Sequence, residues 1–175
     1  SSFNNKTGTM IIKEVKKMEE VLVSGVTLNK NEAKITLCGV PDKPGVAVKL
    51  FKDLATAGVS VDMIVQNVSH TRSTDISFTI AKADCSKASK IAKKVAKKIG
   101  GGEVLLDEDI ARVSIVGVGM KSHHGVAAKM FGALADNNIN IEMISTSDIS
   151  ISCIIKKKNA ELAVKKLHAD FGLSK

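Results

Sequence analysis

Two short loops carry residue types that could hold a small charged molecule. The first, PDKPG (Pro41–Gly45), offers the carboxylate of Asp42, a stiffening Pro44, and a Gly45 that lets a ligand come close to the backbone. An apolar-periodic segment follows directly. The loop therefore feeds a helix N-terminus, where unpaired amides and the positive dipole end suit a carboxylate. Asp42 can accept hydrogen bonds from an ammonium group. Asp62, Gln66 and Asn67 stand on the next strand, and simple alternation puts Asp62 and Gln66 on its polar side. Acceptors for an ammonium beside donors for a carboxylate describe recognition of an α-amino acid. The same residues also serve as ordinary turn and cap residues, and one loop alone does not separate the two readings.

The second loop, MKSHHG (Met120–Gly125), enters a similar helix. It places Ser122 and Gly125 before the helix, Asn140 and Glu142 on the following strand, and Ser147 and Asp148 in the tight link beyond. Acids at these positions could balance a second positive charge on a ligand such as lysine.

The elements that position these loops form an internal repeat. AKITLCGV (Ala33–Val40) aligns with ARVSIVGV (Ala111–Val118), and GVAVKLFKDLATAGVSVDMI (Gly45–Ile64) with GVAAKMFGALADNNINIEMI (Gly125–Ile144), with nearly half of the latter positions identical. Flanking strands that align as well as the helices mark a duplication. In the first unit, Ile35 and Leu37 alternate with polar residues. Ala47, Leu50, Phe51, Leu54 and Ala55 make one helix face, which Gly58 ends. Val59, Val61, Met63 and Val65 are expected on one side of the next strand, DISFTI (Asp75–Ile80) follows, Asp84 is expected to cap a Lys-rich helix, and GGG stops that helix before EVLLD (Glu103–Asp107).

The order βαββαβ predicts an α+β fold of two ferredoxin-like units, each an antiparallel sheet with helices on one face. The second unit's series ends with a helix starting near Asn159 and no last strand. The unassigned segment VLVSGVTL (Val21–Leu28) is expected to fill that vacant edge, completing the second unit.

Composition narrows the function classes. The net charge of +8 raises the question of nucleic acid, but much of the excess lies in SKASKIAKKVAKKIG, where lysines take the outer face of an amphipathic helix. The βαββαβ order is shared with an RNA-binding module that stacks bases on aromatic side chains. Only Phe78 stands on the corresponding strands, and it shares a face with Ile76 and Ile80, so no nucleic-acid partner is expected. No run of residues is long and apolar enough for a membrane span. Cys38, Cys85 and Cys153 are dispersed and odd in number, which fits a cytoplasmic location without disulfides. No phosphate-binding glycine motif occurs, the adjacent His123 and His124 lack a metal-ligand spacing, and neither a catalytic nor a metal site is expected.

On LCGVPDKPGVAVKLFKDLATAGVSVDMIVQNVS and VSIVGVGMKSHHGVAAKMFGALADNNINIEMISTSDISIS the chain resembles the regulatory region of aspartate kinases, a pair of ACT modules. The resemblance covers nearly the whole chain. It implies modules at 31–107 and at 21–30 plus 108–175. A lead-in at 1–20, beginning SSFNNKTGTMI, resembles the end of the kinase catalytic domain, so the chain is expected to be a C-terminal fragment or a separate regulatory subunit.

In that family lysine, threonine or both bind at module interfaces and give feedback inhibition of the ATP-dependent phosphorylation of aspartate. The implied partners are a second copy in a homodimer and the kinase catalytic domain or subunit, with amino-acid effectors and no other cofactor. The resemblance places a threonine-type site at Asp42, Gly45, Ala47, Gln66 and Asn67, with further contacts at Met120, Ser122, Gly125, Val126, Asn140, Ile141, Thr146, Ser147 and Asp148. His124 stands where a proline often precedes the second glycine, which predicts a less rigid second loop. The alternatives are a structural dimerisation module that binds no ligand, and a nucleic-acid-binding protein of the same element order.

Overall fold

The computed structural model describes residues 23–67, 73–118 and 124–173. Strand β1 is Gly25–Asn29. The first unit then runs β2 (Glu32–Pro41), α1 (Val46–Thr56), β3 (Val61–Gln66), β4 (Ser73–Ala81), α2 (Cys85–Ile99) and β5 (Val104–Asp107). The second runs β6 (Ile110–Val116), α3 (Val126–Ala135), β7 (Met143–Thr146), β8 (Ser150–Lys156) and α4 (Ala160–Asp170). The strands make two four-stranded antiparallel sheets, β3-β4-β2-β5 and β1-β6-β8-β7. β1 pairs with β6, Leu28 opposite Val113, at the edge that β5 occupies in the first sheet. The leading strand thus completes the second unit, as the vacant edge requires.

Period-two burial builds each core. Ala33, Ile35 and Leu37 on β2 and Ile76, Phe78 and Ile80 on β4 face Leu50 and Leu54 of α1 and Ala88, Ala92 and Val95 of α2. Phe51 meets Phe78 edge-on, centroids 5.6 Å apart, and Phe78 is fully buried, so it offers no surface for a base. The second core repeats this with Val113, Ile115, Cys153 and Ile155 beneath Met130, Leu134, Ala163 and Leu167. The lysines of α2 from Lys87 onward are exposed. The helix ends are twins as well. Gly58 takes the left-handed conformation after α1 (φ +70°), and Asn138 does so after α3 (φ +54°).

Two local expectations are corrected. β3 carries a bulge between Val61 and Ile64, an extra residue against β4. Val59 and Val61 therefore face the helices, while Met63 and Val65 join Ile110, Met143 and Ile154 in a separate cluster between the two units. Asp84 makes no capping hydrogen bond to α2. It closes a 3₁₀ turn with φ −95° and ψ −2°, outside the extended conformation a capping side chain needs, and its carboxylate pairs with Lys87 at 3.5 Å.

Candidate effector site

The loop glycines behave alike. Gly45 is the N-terminal flank of α1 with φ +89°, and Gly125 that of α3 with φ +94°. At both, a Cβ would meet nothing within 4 Å, so the left-handed backbone rather than crowding is what calls for glycine. Neither helix has a side-chain cap. Val46 N–H donates weakly back to Lys43 O (3.4 Å), and the first bonds of the helical pattern are Lys49 N–H to Gly45 O (3.2 Å) and Lys129 N–H to Gly125 O (2.9 Å). Among the described residues the amides of Ala47 and Val48, and of Ala127 and Ala128, have no acceptor, the orphan donors of their first turns. Asp42, Lys43, Pro44 and Gly45 are exposed, as are His124 and Gly125.

Strand direction decides which candidates share an end of a sheet. β3 runs parallel to β2, so Gln66 and Asn67 lie at the same end as Asp42 and Gly45. Asn67 O is held there by the Thr74 hydroxyl, opposite Val40. In the second unit, Thr146 and Ser147 lie at the end that holds Gly125. Ser147 fixes its turn through Ser150: its N–H donates to Ser150 O and its hydroxyl meets Ser150 Oγ, each at 2.8 Å. Asp148 is exposed in the same turn, and Val126 is buried under α3. Met120 and Ser122 lie outside the described residues.

Asp62 does not join its expected companions. It sits at the start of β3, about 13 Å of strand from Gln66. The bulge turns it towards the second unit, where it accepts from Arg112 Nη1 at 2.6 Å. Asn140, Ile141 and Glu142 likewise lie at the far end of their unit, about 20 Å along β6 from Gly125. Glu142 is spoken for: Lys34 and Lys156 both bind it, the latter at 3.1 Å. Burial disfavours its charge, but these two hydrogen bonds outweigh that and hold its pKa below the ordinary 4.5. Lys156 also binds Asp107 at 2.6 Å, while Arg112 Nη2 binds Glu32 at 2.7 Å. Asp62 and Glu142 are thus parts of the seam between the units. The seam's other charged members, Glu32, Lys34, Asp107, Arg112 and Lys156, were missed in the sequence. Their signal was a charge at the same place in both repeats, Lys34 with Arg112 and Asp62 with Glu142.

An ACT domain model matches residues 35–95 and 113–171, each span covering most of one unit. The regulatory subunit of aspartate kinase from Thermus thermophilus, in a ligand-free crystal structure, is 45% identical; the match covers 86% of this chain and 99% of that one with a TM-score of 0.82. The chain belongs to the ACT-domain family, as a regulatory region of the aspartate kinase type. The aspartate kinase of Pseudomonas fluorescens (strain SBW25) is 51% identical over 98% of this chain, and the aspartokinase of Helicobacter pylori (strain J99 / ATCC 700824) 47% over 99%. The chain spans 42% and 43% of the length of these two. No described helix is long and apolar enough to cross a membrane.

Proposed function

We propose that the chain senses lysine, threonine or both, and imposes feedback inhibition on an aspartate kinase whose catalytic domain lies outside it. The observation that carries this is the pair of left-handed glycines, each opening the uncapped start of a helix at an exposed loop, with Asp42, Gln66 and Asn67 gathered beside the first. The helix amides of α1 would take the effector's carboxylate. Asp42 would take its ammonium group, and Gln66 and Asn67 a polar side chain. Thr146, Ser147 and Asp148 would play those parts at the second loop.

Asn140 and Ile141 sit at the opposite end of the second unit from its loop, and the Glu142 beside them touches the start of β2 rather than its end. They can border an effector only if a second copy brings them to another chain's loop. A homodimer joined through the ACT units is therefore part of the reading. Inhibition would work by population shift: an effector that binds one dimer arrangement better favours it, by no more than the difference in affinity.

The test is a thermal-shift titration of the chain with lysine and threonine, separately and together, against Asp42→Ala. Saturable stabilisation by at least one amino acid, weakened at least tenfold in the variant, is expected. At a concentration of about 100 Kd the effect corresponds to about 2.7 kcal/mol. A stable dimer indifferent to both amino acids would instead support a purely structural module.

A further inference from the structure

Because the units are repeats, every position at the seam has a twin. Lys34 aligns with Arg112 and Asp62 with Glu142, and each cation crosses to the other unit's acid. Strand registers assign the remaining twins. Glu32 lies opposite Ala81 as Ile110 lies opposite Lys156, and Asn29 lies opposite Arg112 as Asp107 lies opposite Lys34.

At the corner around Glu142 the charges balance. Lys156 spans Asp107 and Glu142, and Lys34 holds the other oxygen of Glu142. At the twin corner Ala81 stands in the place of the lysine. Among the described residues Arg112 alone pairs with both Glu32 (2.7 Å) and Asp62 (2.6 Å), one cation fewer than at the twin corner. Glu32 is 5% exposed. Its Oε1 accepts from Asn29 Nδ2 (2.7 Å) and from Arg112, but Oε2 has no hydrogen-bond partner among the described residues. A buried carboxylate oxygen without a donor is costly. Burial raises the Glu32 pKa, Arg112 opposes this, and the like charge of Asp62 adds to it. The neighbouring Lys30 is engaged elsewhere, in a pair with Glu161. In front of Ala81 opens a hollow of about 580 Å³, bordered by Asn29, Glu32, Ser60, Asp62 and Ala81.

We infer that this hollow binds a primary ammonium group on a short alkyl arm, which does from outside what the Lys156 head does within the twin corner. Glu32 and Asp62 supply its acceptors. Among the described residues the only cation paired at the corner, Arg112, already serves two carboxylates, so a ligand carrying its own carboxylate beside the ammonium is disfavoured. The site is therefore distinct from the helix-start loops. A divalent metal is disfavoured as well, with only two carboxylates and a guanidinium between them.

The probe is n-butylammonium, which reproduces a lysine side chain from Cβ outwards. Its effect on the melting midpoint of the full chain is compared with tetramethylammonium and sodium chloride at equal ionic strength. A saturable rise with n-butylammonium alone is expected. Ala81→Lys should raise the midpoint without the probe and abolish the response. Glu32→Gln should weaken the response at least tenfold, and decides the matter if Ala81→Lys fails to fold. Asp42→Ala, at the other site, should leave the response unchanged. An equal effect of tetramethylammonium, a response that does not saturate, or full retention of the response in Glu32→Gln would overturn the inference.

Discussion

Replacing Arg112 by methionine should cost the fold about 3 kcal/mol at neutral pH, nearly all of it through Glu32. The exposures of the two partners set the magnitude. The Asp62 side chain is 52% exposed, so water replaces the lost guanidinium there and the loss stays below about 1 kcal/mol. The Glu32 side chain is 6% exposed and, among the described residues, keeps only the Asn29 amide as a donor. A charge left alone in such a place costs about 3–5 kcal/mol, and the lower figure applies because Glu32 can escape by taking a proton. Its pKa already lies above the ordinary 4.5, raised by burial and only partly offset by Arg112. Removing Arg112 raises it further, so the folded variant binds a proton more readily than its unfolded chain. The deficit must then shrink as pH falls, by at most about 1.4 kcal/mol per pH unit. The assay is urea unfolding followed by circular dichroism at about pH 8 and about pH 5, in the wild type and in a Glu32→Gln background. In that background Arg112→Met should cost only about 1 kcal/mol, because an amide needs no counter-charge. Equal costs in both backgrounds, or a deficit that ignores pH, would refute the reasoning.

Three further outcomes follow from single sites. Gly45→Ala should destabilise the chain by about 1 kcal/mol, measured by the same unfolding assay, because φ +89° is strained for a side chain that meets no neighbour; a neutral effect would contradict this. Asp107 and Glu142 have pKa values below their ordinary 3.8 and 4.5, since hydrogen bonds, chiefly from lysines, outweigh burial. Their stabilisation is complete above those values and is lost as pH falls through the lowered ones. An acid titration of Lys156→Met should accordingly show unfolding at a higher pH than wild type, and an unchanged midpoint would count against the network. Burial pushes the thiols of Cys85 and Cys153 up to about 11 and about 12, whereas Cys38 is partly exposed. A colorimetric thiol assay on the native chain should modify Cys38 first and the other two only on unfolding.

The repeat and the vacant edge were readable because both rest on apolar alternation. Ile35 and Leu37, like Val113 and Ile115, must be buried together, and a unit short of one strand must find another. The bulge in β3 was not readable. It is an extra residue on one strand, and the regular alternation of VSVDM (Val59–Met63) carries no sign of it. That slip is why Asp62 and Gln66, and likewise Val61 and Met63, take different faces although simple alternation puts each pair on one. Glu142 is a separate case: a charge on an expected strand reads as solvent-facing until a second unit is known to lie against it. Comparing the repeats for charge as well as for apolar residues would have paired Lys34 with Arg112 and Asp62 with Glu142, and so pointed to a seam. Gly45 and Gly125 stand directly before their helices as the sequence implies, since loop glycines before a helix are fixed by local backbone geometry.

The most direct trial of the account is a crystal structure of the chain grown with lysine and threonine. It predicts an amino acid whose carboxylate lies against the amides of Ala47 and Val48 and whose ammonium group lies near Asp42, with Asn140 or Ile141 of a second copy closing the site. Those helix starts found bare, with the amino acids absent or bound elsewhere, would contradict it.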